Sequence, residues 1–178
     1  MSQRGHCILS HGFESGPDAT KVTALAEAAE RLGWCHERPD YTAFDASAGH
    51  GRHGDVAGRL SLLRALAAER AGDGPLVLAG SSLGAWISAR VSLEVPVRAL
   101  FLMAPPVNLA ADHPIQAAPV PTAIIHGWDD ELIPAADVVA WAAPRRDRLL
   151  LVDDGHRLSG HVDASAALFG QLLQSLAP

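Results

Sequence analysis

Ala79-Gly80-Ser81-Ser82-Leu83-Gly84-Ala85-Trp86, AGSSLGAW, lies at the end of the most strand-like run in the chain, PLVLA over Pro75–Ala79. A helical pattern begins within it and runs on to Leu93. A sharp turn from strand into helix exposes the residue at its apex and presses the two backbones together. The positions two before and two after that apex must therefore be very small, which is the physical content of G-x-S-x-G. Ser82 has Gly80 and Gly84 at those places, whereas Ser81 has Ala79 and Leu83, and a leucine there clashes. Ser82 is thus the candidate nucleophile and Ser81 a small filler. The plainer reading is a glycine-rich turn without chemistry, and the motif alone does not decide between the two.

Outward from this turn, short apolar runs alternate with helical patterns. The strand candidates are His6–Ser10, Trp34–Arg38, Pro75–Ala79, Arg98–Met103, Thr122–His126 and Arg148–Val152. Several are almost continuously apolar, as strands covered on both faces are. Helical patterns occupy Asp18–Leu32, Gly54–Ala71, Ser82–Leu93, Pro134–Trp141 and His161–Leu176. Strand, helix, strand, repeated, predicts parallel strands joined by right-handed crossovers. The expected fold is α/β, a three-layer α/β/α sandwich on a mainly parallel sheet of about six strands, formed as a single domain over residues 1–178. In such sheets ligands bind at the carboxyl ends of strands, where the strand order reverses. Thr42–Gly54 and Ala104–Pro121 read as irregular, and neither is long enough for a second domain.

Bulk properties narrow the function classes. A formal net charge of −6, with no basic run, argues against nucleic acid or an anionic membrane as partner. The opening MSQRGHCILSHG lacks a signal-peptide core, and no apolar run is long enough to span a bilayer, so the cytoplasm is the expected compartment. Cys7 and Cys35 are expected as buried free thiols.

Four segments together resemble the α/β-hydrolase family, over almost the whole chain and in that family's order. LSHGFESGP, Leu9–Pro17, resembles its oxyanion loop; AGSSLGAW its nucleophile elbow; IIHGWDDELIP, Ile124–Pro134, its acid loop; and LLLVDDGHRLSG, Leu149–Gly160, its histidine loop. The resemblance implies that Ser82 attacks, that His156 is the general base, and that the backbone N–H groups of Phe13 and Leu83 hold the oxyanion. In the acid loop Asp129 and Asp130 compete, and the family's spacing from His-Gly to the proline favours Asp130. Asp153 and Asp154 read as loop or cap residues, too near His156 along the chain to reach its far ring nitrogen. The side chain of His11 reads as structural, since the family uses the backbone at that point.

The departures shape the expectation. The two antiparallel strands that open larger family members are expected to be missing, and the segment where a lid is often inserted is short and proline-rich. The resemblance therefore implies a minimal, lidless hydrolase with an open site, needing no cofactor and no metal. The expected substrate is a small or exposed acyl compound, a carboxylic ester in the first place, with a thioester or amide as the alternatives. Trp86, Met103 and Trp128 are pocket candidates, with Phe13, Pro105 and Leu132, although Trp86 also fits as ordinary packing. The rival function is a non-catalytic binding module on the same fold. Gly49-His50-Gly51-Arg52-His53-Gly54 matches G-x-G-x-x-G, but AFDASA before it is no apolar strand, so a dinucleotide is not expected there. His50, His53 and Asp55 read as solvated rather than as a metal site.

Overall fold

The computed structural model describes residues 4–47, 49, 51–109 and 114–176. Its six strands are β1 (His6–Ser10), β2 (Cys35–Glu37), β3 (Leu76–Ser81), β4 (Ala99–Met103), β5 (Thr122–Gly127) and β6 (Arg148–Val152). They form one sheet in the order β2-β1-β3-β4-β5-β6, and every pairing is parallel. The helices are α1 (Thr20–Arg31), α2 (Thr42–Asp45), α3 (Val56–Arg70), α4 (Leu83–Val91), α5 (Ala135–Arg145) and α6 (Val162–Ser175), the last preceded by a 3₁₀ turn over Ser159–His161.

The near-continuous apolar strands are explained by two cores, one on each face. Successive strand side chains point to opposite faces. Cys7, Leu9, Val77, Ala79, Phe101, Met103 and Ile125 face α1 and α6. Ile8, Leu76, Leu78, Leu100, Leu102 and Ile124 face the layer that holds α3, α4 and α5. The edge strand β6 is half-covered and alternates exposed with partly buried residues until Val152.

Three expectations need correction. Thr42–Gly54 is not wholly irregular, because it contains the short helix α2. Helix α5 runs four residues past Trp141 and takes in Pro144. Of the two unpaired cysteines, Cys7 is buried but Cys35 is exposed, at the start of the edge strand β2. Among the described residues no helix is long and apolar enough to cross a membrane.

The topology also marks a site. From β1 the chain steps outward to β2, then returns to place β3 on the other side of β1. The carboxyl ends of β1 and β3 therefore flank the switch point, where a crevice opens between connections running in opposite directions. The loop His11-Gly12-Phe13 leaves β1 there, and the turn at Ser82 leaves β3.

Candidate active site

Ser82 joins β3 to α4 with φ 52° and ψ −119°, a conformation that only a tightly packed surround holds in a residue with a side chain. Its N–H donates to the Met103 carbonyl across the sheet at 2.8 Å, and its carbonyl starts α4 by accepting the Ala85 N–H at 2.9 Å. A Cβ at Gly80 would lie 2.2 Å from the Gly84 carbonyl oxygen, and one at Gly84 would lie 2.2 Å from that of Ser10. Both glycines are thus required by the close approach of β3, α4 and the end of β1. Leu83 opens α4, where the first backbone N–H groups have no intrahelical acceptor.

The structure brings Ser82, His156 and Asp130 together. The Ser82 Oγ lies 2.9 Å from His156 Nε2, and His156 Nδ1 lies 2.8 Å from Asp130 Oδ2. A carboxylate can only accept, so Nδ1 carries the proton and Nε2 is free to take the serine hydroxyl hydrogen. The Asp130 side chain has no exposed surface. Its other oxygen accepts the Leu132 and Ile133 N–H groups at 2.9 and 2.8 Å, which turns the carboxylate toward the imidazole. Asp129 is exposed, and its backbone N–H donates to the Asp154 carbonyl. The two neighbours in the acid loop are therefore distinguished by burial and direction.

Glu131, which sequence reasoning left aside, and Asp154, read there as a loop or cap residue, hold the histidine loop. The Glu131 carboxylate accepts the His156 backbone N–H at 3.1 Å, and that bond lowers its pKa. Asp154 accepts the N–H groups of Gly155 and Gly160 and the Nδ1 of His161, at 2.8 to 2.9 Å, which lowers its pKa too. No local signal marks Glu131, since its partner lies 25 residues away.

Gly12 lies against the nucleophile: a Cβ there would be 3.6 Å from the Ser82 Cβ. Phe13, next in the loop, is half-buried and meets the ring of His53 edge-on at 5.7 Å. The His11 side chain is wholly buried; its Nε2 accepts the Tyr41 N–H at 2.9 Å and its Nδ1 donates to the Gly12 carbonyl at 2.8 Å. Trp86 is half-buried and packs on the core facing α3, α4 and α5. Trp128 is 60% exposed and Leu132 65% exposed, both in the loop that carries Asp130. Met103 does not fit its expected place in a pocket wall, because its side chain is 0% exposed and belongs to the core facing α1 and α6. Only its carbonyl serves the site.

The glycine-rich stretch before α3 follows the helix α2 rather than a strand, and His50 lies outside the described residues. Asp55 caps α3 by accepting the Gly58 N–H at 2.8 Å. Among the described residues no group of His, Cys, Asp or Glu is placed to hold a metal ion.

Burial lowers the pKa of both His11 and His126, each fully buried in its neutral form. His126 lies 2.9 Å from the Ile133 carbonyl through Nε2, and its Nδ1 has no partner among the described residues, so a second proton would be stranded. Below about pH 6.5 the unfolded chain protonates these imidazoles while the folded chain does not, so stability is complete above that value and falls with acidification. Each contributes a slope of up to about 1.4 kcal/mol per pH unit until its folded pKa is reached. Urea unfolding between about pH 7 and about pH 5 is expected to show this loss; unchanged stability across that window contradicts it.

No protein-family model matches the chain, and no curated protein matches it. Among solved structures, a protein of Xanthomonas campestris pv. campestris placed in the alpha/beta hydrolase superfamily superposes with a TM-score of 0.94, at 63% identity over 97% of this chain and 99% of that one. An alpha-beta serine hydrolase homologue from Coxiella burnetii gives 0.75 at 26% identity, over 97% of this chain and 86% of the other. An α/β serine hydrolase without lid, also from Xanthomonas campestris, shares the fold with a TM-score of 0.71 at 19% identity, over 100% and 85% of the two chains. With 63% identity along nearly the full length of both chains, this chain belongs to the alpha/beta hydrolase superfamily.

Proposed function

We propose that the protein is a serine hydrolase that cleaves carboxylic esters, thioesters or amides of small or exposed acyl groups through an acyl-enzyme. The observation that carries this reading is the unbroken hydrogen-bonded chain from Asp130 through His156 to Ser82, with the serine held at the apex of a strained turn. The likeness to the alpha-beta serine hydrolase homologue of Coxiella burnetii, at 26% identity over nearly the whole of this chain, supports it.

Ser82 Oγ attacks the acyl carbon as His156 Nε2 takes its proton. The backbone N–H groups of Phe13 and Leu83 stabilise the oxyanion, and Asp130 stabilises the imidazolium that forms. His156 then hands the proton to the departing alcohol, thiol or amine, leaving the acyl group on Ser82. A water attacks that ester with His156 again as base, the acid leaves, and Ser82 regains its proton. Phe13, Trp86, Trp128 and Leu132 supply apolar surface for an acyl or aryl group. A panel of acyl esters, thioesters and peptides, assayed with the wild type and Ser82→Ala, tests the reading. Hydrolysis of at least one class, lost in the variant, is expected; a panel left intact by the wild type removes the reading.

A further inference from the structure

Arg59 lies in α3, outside the hydrogen-bonded chain, yet its side chain is 0% exposed. Among the described residues, the hydrogen bonds and ring contact of its guanidinium are made with the loop that leaves β1 and with the segment that supports it. Nη1 donates to the His11 carbonyl at 3.0 Å and Nη2 to the Gly12 carbonyl at 3.1 Å. Nε and Nη2 form a fork on the Asp45 carboxylate at 2.7 and 2.6 Å. The ring of Tyr41 covers the guanidinium at 4.7 Å. Asp45, 8% exposed, also accepts the Glu14 N–H at 3.0 Å, where Glu14 has φ 53°.

These bonds grip Phe13 from both sides. In a trans peptide the carbonyl and the following N–H point in opposite directions. The Gly12 carbonyl is turned toward Arg59 and the His11 Nδ1, so the Phe13 N–H of the same peptide points away from them. The next amide, Glu14 N–H, is tied to Asp45. The Phe13 N–H itself donates to no acceptor among the described residues. A planar, five-donor cation can hold two carbonyls and a carboxylate at once, which a lysine ammonium cannot do in the same geometry.

We propose that Arg59, paired with Asp45, is a positioning residue that aims the Phe13 N–H at the oxyanion formed on attack by Ser82. The inference rests on the serine-hydrolase reading. It deepens that reading by placing the rigidity of the oxyanion site in a buried ion pair. An arginine serving stability alone would, when altered, reduce the amount of folded enzyme and leave the chemistry of the surviving molecules unchanged.

The test uses the best ester of the panel and its thionoester, in which sulfur replaces the carbonyl oxygen. A thiocarbonyl sulfur is larger and accepts hydrogen bonds weakly, so the ratio of the two kcat/KM values reports on the oxyanion donors and is independent of the folded fraction. Arg59→Lys is expected to lower kcat for the ester about 10²-fold, with KM changed less than about threefold, and to shrink the ester-to-thionoester ratio by at least about tenfold. Arg59→Met with Asp45→Asn leaves no charge buried alone, and the same result is expected from that double variant should the lysine variant fail to fold. A wild-type ratio kept by either folded variant overturns the inference while leaving the hydrolase reading in place. A wild type that leaves the whole panel of esters, thioesters and peptides intact overturns both.

Discussion

Ser82→Ala is expected to lower turnover of the best substrate by about 10⁶-fold, to the level that binding and backbone donors sustain without a nucleophile. The loss is expected to be chemical rather than structural. Alanine keeps the Ser82 N–H bond to Met103 and the carbonyl that starts α4, and the packing at Gly80 and Gly84 is untouched. The melting temperature should therefore stay within a few degrees of the wild type. If Ser82 and His156, joined by a 2.9 Å hydrogen bond, act as one unit as proposed, Ser82→Ala with His156→Ala is expected to lose about as much as Ser82→Ala alone. Measured kcat for the three proteins checks this, and additive losses would contradict a shared step.

The second large effect separates two adjacent carboxylates. In Asp130→Asn the amide oxygen is held at the Oδ1 position, where the Leu132 and Ile133 N–H groups both need an acceptor. The amide nitrogen then occupies the Oδ2 position and donates to His156 Nδ1. The imidazole is forced into its other tautomer, with a proton on Nε2 facing Ser82, and no base remains for the hydroxyl. The expected fall in kcat is about 10⁴-fold. Asp129→Asn alters an exposed side chain beside the same turn and is expected to change kcat by less than about threefold. Equal, mild losses in the two variants would remove Asp130 from its role.

The contrast between these residues shows what the sequence can reveal and what it cannot. The sheet was legible because β1, β3, β4 and β5 are buried on both faces and so appear as continuous apolar runs. The turn at Ser82 was legible because its steric demand falls on two glycines at fixed offsets within one short stretch. The family's spacing from His-Gly to Pro134 favours Asp130 over Asp129, and the physical distinction between them appears only in the folded loop. Arg59 was not legible at all. It sits within the heptad-like apolar pattern of α3 and looks like any solvated helix charge, because its partner Asp45 belongs to a helix of four residues that propensity does not reveal. Beside the local bond from His11 to the Gly12 carbonyl, the loop after β1 is supported by such distant pairings: Arg59 with Gly12, Tyr41 with His11, Asp45 with Glu14. Met103 misled in the opposite sense, since a residue at the carboxyl end of β4 can face either core, and the pleat turns this one away from the crevice.

The most direct test of the account is to treat the wild type with a fluorophosphonate and locate the adduct by mass spectrometry of the digested protein. Attack by an activated serine displaces fluoride and leaves one phosphonyl group on the protein. The account predicts a single adduct on the peptide that carries Ser82, and none in Ser82→Ala. An unmodified wild type, or an adduct that persists in Ser82→Ala, would contradict it.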